Sequence, residues 1–181
     1  CLYNLYGIMK CMDYSTVVCV DLETTGLVPE KDEIIEIGAV KLVNGERIDT
    51  FSTLVKPTVK VPPFVLRLTG IKKSELNSSK PIESHIDQFL DFIDDAVFVA
   101  HNADFDYGTI NNVLERLGKP PIRNKVIDSG DLALLLFPSH SSHKLKELAK
   151  IAGIDFSNSH RALSDASCLA ELWLFMLEKL K

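Results

Sequence analysis

Thr16-Val17-Val18-Cys19-Val20-Asp21-Leu22-Glu23-Thr24-Thr25-Gly26 is the stretch on which the fold turns. Its opening residues are mostly β-branched, which suits a pleated backbone and disfavours helix. Side chains on a strand alternate faces. Asp21 and Glu23 therefore share one face at the strand's end, while Leu22 points the other way, into the core. Two neighbouring carboxylates repel each other and are costly to desolvate, and a hard divalent cation relieves both problems. An edge-strand pair that simply faces water is the competing reading, and this stretch alone leaves the two even.

Downstream, a polar loop from Leu27 to Glu33 leads to Ile34-Ile35-Glu36-Ile37-Gly38-Ala39-Val40-Lys41-Leu42-Val43. Asn44-Gly45 then turns the chain into a third strand, Glu46 to Lys56, since both turn residues tolerate positive φ. Pro57, Pro62 and Pro63 impose an extended connector, and a short helix is expected over Phe64 to Leu68. Pro81 is placed for a helix's first turn, and Ile82, Ile86, Phe89, Leu90 and Ile93 continue it as one amphipathic helix. Ala96-Val97-Phe98-Val99-Ala100 is apolar throughout and reads as a central strand. His101-Asn102-Ala103-Asp104-Phe105-Asp106 follows it, and a helix carries Ile110, Val113, Leu114 and Leu117 to a stop at Gly118. Val126-Ile127 is a brief strand, with Asp128 or Ser129 capping the next helix, which Pro138 ends. Leu145, Leu148, Ala149 and Ala152 mark one more helix, closed by Gly153. The last helix, Leu163 to Leu180, is apolar around most of its circumference and so packs on more than one side, with Trp173 in the core.

This order predicts an α/β fold, a mixed five-stranded sheet with helices on both faces. The first three strands run antiparallel through short loops, and the last two pair parallel beside the first through helical crossovers. The 181 residues, 46% apolar and 25% charged, suffice for one domain with a sizeable core. A net charge of −5 excludes a broad basic field, so contact with a nucleic acid must be local, brief or metal-assisted. The four cysteines have neither metal-ligand nor framework spacing, and Cys19 and Cys168 read as buried thiols suited to a reducing, cytoplasmic setting. No apolar run is long enough to span a membrane, and residues 1–15 lack the pattern of a signal peptide. Those fifteen residues, which open on Cys1, read as an N-terminal extension of vector origin ahead of a domain over 16–181.

Three segments carry the chemistry: Asp21 with Glu23, Asp106 in the helix after the central strand, and His160-Arg161-Ala162-Leu163-Ser164-Asp165 opening the last helix. If Asp106 and Asp165 face the same sheet rim as the first pair, four carboxylates and one imidazole share a site. Such a cluster suits two divalent cations, Mg²⁺ or Mn²⁺, placed for in-line phosphoryl displacement. An imidazole titrates near neutrality, so His160 is the candidate to take the attacking water's proton.

Asp21-x-Glu23, then His101-Asn102-x-x-Phe105-Asp106, then His160 followed by Asp165, resembles the three exonuclease motifs of the DnaQ-like superfamily, DEDDh subgroup. The resemblance runs from about Thr16 to the C-terminus. It implies a ribonuclease H-like fold and metal-dependent hydrolysis of a nucleic acid from its 3′ end, releasing 5′-nucleoside monophosphates in DNA replication or repair. It assigns Asp21, Glu23, Asp106 and Asp165 to the metals and His160 to general base. Thr24, Thr25, Gly26 and Leu27 would line the pocket for the terminal nucleotide, with Asn102 and Phe105 supporting it. His101 either touches substrate or orients its loop. Val61-Pro62-Pro63-Phe64 and Leu68-Thr69-Gly70-Ile71 look most like the exonuclease domain of DinG-type bacterial helicases, with PolC-type DNA polymerase III nearly as close. No phosphate loop of a helicase motor is present, which leaves a freestanding exonuclease or a domain of a polymerase or helicase polypeptide.

DNA 3′ ends, single-stranded or frayed, are the expected substrate. A 3′–5′ exoribonuclease is the near rival, because the motifs do not distinguish the two sugars. A metal-dependent, catalytically silent module that grips strand ends for a partner is the rival of another class, although it would have no need of His160. Asp128 reads as a helix cap, His140 and His143 as a solvated loop, His85 as a solvent-facing side chain, and Lys72, Lys73, Lys144 and Lys146 as ordinary surface.

Overall fold

The computed structural model describes residues 13–156 and 160–180. Residues 1–12, most of the expected extension, lie outside the described residues. Five strands form one sheet: β1 (Thr16–Thr24), β2 (Ile34–Val43), β3 (Glu46–Leu54), β4 (Val97–Ala100) and β5 (Val126–Asp128), in the order β3-β2-β1-β4-β5. β1 and β2 are antiparallel, as are β2 and β3, while β4 is parallel to β1 and β5 to β4. The mixed five-stranded α/β sheet expected from the order of elements is thus the observed one.

Alternation along β1 divides the core in two. Val17 and Cys19 pack under α5 (Ser129–Leu136), α6 (Leu145–Ala152) and α7 (Ala162–Leu180), together with Leu132, Leu148, Leu172 and Trp173. Val18, Val20 and Leu22 face the other way, against α3 (Ile86–Ile93) and α4 (Ala103–Arg116), with Phe89, Phe98, Ile110 and Leu114. Leu22 is buried in that second layer, so Asp21 and Glu23 belong to the α7 side of the sheet. Two short helices, α1 (Pro63–Thr69) and α2 (Lys73–Ser78), close a third cluster over Ile35 through Val65, Ile71 and Leu76. Packing begins just ahead of β1: the Tyr14 ring stands edge-on to Trp173 at 5.3 Å, and the Asn44 amide donates to the Ser15 carbonyl.

Several local expectations are corrected. The helix foreseen from Ile82 to Ile93 is a 3₁₀ turn over Ile82–Ser84 followed by α3, because the Ser84 and His85 amides bond three residues back, to Pro81 and Ile82. α2 carries one buried apolar residue, Leu76, too little periodicity to reveal it in sequence. β3 stops at Leu54, short of Lys56. His85 does not face solvent. It is partly buried, its Nδ1 lies 3.4 Å from Thr53 Oγ1, and its Nε2 is buried with no hydrogen-bond partner among the described residues. Burial lowers its pKa, the Lys80 charge adding to the shift and a hydrogen bond to the Lys80 backbone opposing it. Of the two loop histidines, His140 is exposed, whereas His143 is partly buried with its Nε2 donating to the Phe137 carbonyl at 3.0 Å.

Candidate active site

The register of β1 on β2 sets the floor of the site. Asp21 lies opposite Gly38 and Glu23 opposite Glu36, so all four share the face beneath α7. A Cβ at Gly38 would stand 2.1 Å from the Ala162 carbonyl carbon and 2.2 Å from the Leu163 nitrogen. Only a glycine there lets the first turn of α7 rest directly on the strand, which carries Asp165 to the edge of Asp21 and Glu23. Ligand atoms of Glu23, His160 and Asp165 lie within 4.8 Å of one another.

Asp106 reaches the same rim from the opposite layer. It is 5% exposed, and its Oδ1 accepts the Leu22 amide at 3.1 Å. The α4 helix is aimed by Asp128, which accepts from the Ala103 amide at 2.7 Å and from the Gly130 amide at 2.7 Å. One carboxylate thus caps α4 and α5 together, consistent with its reading as a cap. Asn102 turns between β4 and α4 in the left-handed region, φ 73°, and His101 Nδ1 pairs with Ser129 Oγ at 2.8 Å. Burial lowers the His101 pKa, with Asp128 opposing the shift.

The four acids feel one another. Asp21 is raised well above the ordinary aspartate range, first by burial and then by Asp106, Asp165, Glu23 and Glu36. Glu23 is pushed up to about 7 by burial, with Asp165 and Glu36 adding to the rise and Arg161 opposing it. Asp165 is pushed up to about 6 by burial, partly offset by the amides of His160 and Arg161. Asp106 is also raised by burial, while the Leu22 amide pulls against the rise. Oxygen-rich, partly buried and mutually repelling, this donor set fits hard divalent cations.

A second group of residues follows Glu23 at the end of β1. Thr24 and Thr25 are buried, after a register shift in β1 between Glu23 and Thr24. Thr24 Oγ1 donates to the Gly26 carbonyl at 2.5 Å, and Thr25 Oγ1 donates to Asp32 Oδ1 at 3.0 Å. The other Asp32 oxygen accepts the Val28 amide at 2.8 Å, so the loop is tied into a fixed shape. A Cβ at Gly26 would fall 2.4 Å from that carboxylate. Leu27 is 85% exposed at the tip, while Phe105 is partly buried beside Asp106.

Sequence reasoning passed over Glu36, Gly38, Asp32 and Arg161. Glu36 left a signal, as an acid in a run from Ile34 to Val40 that is otherwise apolar or glycine. It is 2% exposed and receives Arg161 through Nη2 at 2.8 Å and Nε at 3.1 Å, and the Ala162 amide at 3.0 Å.

A sheet rim where four acids from three segments meet beside a histidine is an arrangement that metal-dependent hydrolases use, nucleases among them. Residues 18–173 match the family described as Exonuclease, RNase T type, and the chain belongs to it, a DnaQ-like 3′–5′ exonuclease by family. Among its relatives is the PolC-type DNA polymerase III of Clostridium perfringens, 43% identical over 164 residues, which are 91% of this chain and 11% of that one. The chain therefore spans about a ninth of that polymerase. The fold is shared with E. coli exonuclease I in complex with a dT13 oligonucleotide, with a TM-score of 0.79 and 21% identity over 89% of this chain and 40% of that one. It is shared also with a 3′-exonuclease that recognises the histone mRNA stem-loop, with a TM-score of 0.80 and 22% identity over 92% of this chain and 83% of that one. Among the described residues no helix is long and apolar enough to cross a membrane.

Proposed function

We propose that this chain removes nucleotides one at a time from DNA 3′ ends, single-stranded or frayed, releasing 5′-nucleoside monophosphates. The observation that carries the reading is the meeting of Asp21, Glu23, Asp106 and Asp165 with their pKa values raised together, beside His160. In this reading Asp21, Glu23, Asp106 and Asp165 would hold the divalent cations, with Asp21, Glu23 and Asp165 on one and Asp106 nearer a second. The cations, Mg²⁺ or Mn²⁺, would supply the positive charge that makes water a nucleophile at neutral pH and stabilises the leaving oxygen. His160, exposed at the head of α7, would accept the water's proton on its ring and surrender it to solvent. Thr24, Thr25 and Gly26 hold the terminal nucleotide against the tied loop, and Leu27 presents an apolar side chain to its base. Asn102 and Phe105 buttress that pocket, and His101 orients its loop through Ser129.

The polymerase relative favours DNA and a place inside a larger replicative polypeptide in the cytoplasm, with residues 16–181 as its exonuclease domain. Incubating the protein with 5′-labelled DNA and RNA oligonucleotides in Mg²⁺, Mn²⁺ or EDTA tests this directly. A ladder shortening from the 3′ end of DNA, abolished by EDTA, is expected. A ladder on RNA alone transfers the activity to the exoribonuclease reading, and no shortening with either metal removes the proposal.

A further inference from the structure

The ion pair between Glu36 and Arg161 lies outside the acids and the base, yet it adjoins two of the three segments that carry them, the end of β1 and the start of α7. Glu36 projects from β2 directly opposite Glu23 and is buried on a strand where every other residue from Ile34 to Val40 is apolar or glycine. Its carboxylate takes three donors from one junction: Arg161 Nη2 at 2.8 Å, Arg161 Nε at 3.1 Å and the Ala162 amide at 3.0 Å. The Ala162 amide is the first of α7 and has no partner within its own helix, so a strand side chain is doing what a capping residue ordinarily does.

The junction needs such a tie. His160 stands in the left-handed region, φ 67°, where a residue with a side chain is rarely found. Its amide folds back onto Asp165, 3.1 Å from Oδ1, which locks ligand and base into one turn. Glu36 then fixes that turn to the sheet, two residues from Gly38, where the backbone of α7 touches the strand. The same contacts occupy the Arg161 guanidinium, whose charge also reaches Glu23 and Glu75.

We infer that Glu36 and Arg161 are positioning residues for hydrolysis. Together they set His160 and Asp165 over β1 and keep the guanidinium off the carboxylates that hold the cations. This rests on the exonuclease reading above. The geometry makes a specific division of labour: Glu36→Gln keeps an acceptor for the Ala162 amide but releases Arg161, whereas Arg161→Lys keeps a cation beside Glu36 without the fork.

Mn²⁺ affinity by calorimetry, kcat and KM on a 3′-terminated DNA oligonucleotide, and the melting temperature test the assignment in the whole chain. Glu36→Gln is expected to weaken Mn²⁺ binding and to lower kcat, each about 10- to 100-fold, the range for losing a group that orients metal ligands. KM should stay within about threefold, because the nucleotide pocket is untouched. The double variant Glu36→Gln/Arg161→Gln should regain Mn²⁺ affinity but not kcat, and Arg161→Lys should retain more activity than Arg161→Ala. Arg161→Ala, altered on the half-exposed side of the pair, serves if the buried change prevents folding. A folded Glu36→Gln or Arg161→Ala with Mn²⁺ affinity and kcat within about twofold of the parent overturns the inference. So does a loss seen entirely in KM. An inactive parent protein would instead defeat the exonuclease reading, so the two failures are distinguishable.

Discussion

His160 and Asp165 form the smallest working unit of this site, a ring and a carboxylate held in one turn by the His160 amide. If the ring takes the water's proton, His160→Ala should lower kcat by about 10²- to 10⁴-fold, with Mn²⁺ affinity largely retained. Unchanged turnover on a DNA oligonucleotide would take the ring out of the mechanism. The raised carboxyls make a second prediction. Glu23 and Asp165 carry folded pKa values of about 7 and about 6, above their ordinary 4.5 and 3.8. Between those values the folded chain holds protons that the unfolded chain has released, so without metal the stability falls as pH rises from about 4 to 7. Divalent cations need the deprotonated ligands, so their stabilisation should grow over the same range. Melting curves at pH 5 and pH 8, with EDTA or Mn²⁺, check this. A metal-free melting temperature indifferent to pH in this range, or unaltered in its pH dependence by Glu23→Gln, would contradict it. Asp21 and Glu23 were legible in sequence because strand alternation alone puts them on one face. Glu36 was not, since one acid in an apolar strand says nothing about the helix that will land on it.

Gly38 decides how closely α7 approaches the sheet. Gly38→Ala would drive a Cβ into the Ala162 carbonyl, which is backbone and cannot rotate away. Such overpacking costs about 1–3 kcal/mol, and the lifted helix should also weaken Mn²⁺ binding. Urea unfolding and calorimetry report the two effects, and a Gly38→Ala protein equal to the parent in both would mean that the helix is seated some other way. Asp128 offers a parallel case, since it caps two helices from one strand end. Asp128→Ala should cost about 1–2 kcal/mol by the same urea measurement, in the range for losing a helix cap. The hairpin at Asn44-Gly45, the closure of α6 at Gly153 and the span of α7 were readable because turn residues and long apolar periodicity act locally. The break between the 3₁₀ turn and α3 was not. Ile82 and Ile86 keep helical spacing across it, and the bonds that divide the segment are made by backbone.

The sheet order β3-β2-β1-β4-β5 is what gathers residues more than a hundred positions apart. β1 and β4 are adjacent and parallel, so the loops after both open on one rim, and α7 crosses β1 and β2 to add its first turn there. Strand count and direction followed from loop lengths and crossovers. The docking of α7 did not, because it depends on a register between β1 and β2 that neither strand displays alone. The proposed hydrolysis requires the four acids to act as one cation-binding cluster. The most direct measurement is a crystal structure of the protein soaked with Mn²⁺ and a nucleoside 5′-monophosphate, with the metal located by anomalous scattering. One peak bounded by Asp21, Glu23 and Asp165 and a second beside Asp21 toward Asp106 are expected; anomalous density elsewhere, with none among these carboxylates, would contradict the two-cation reading.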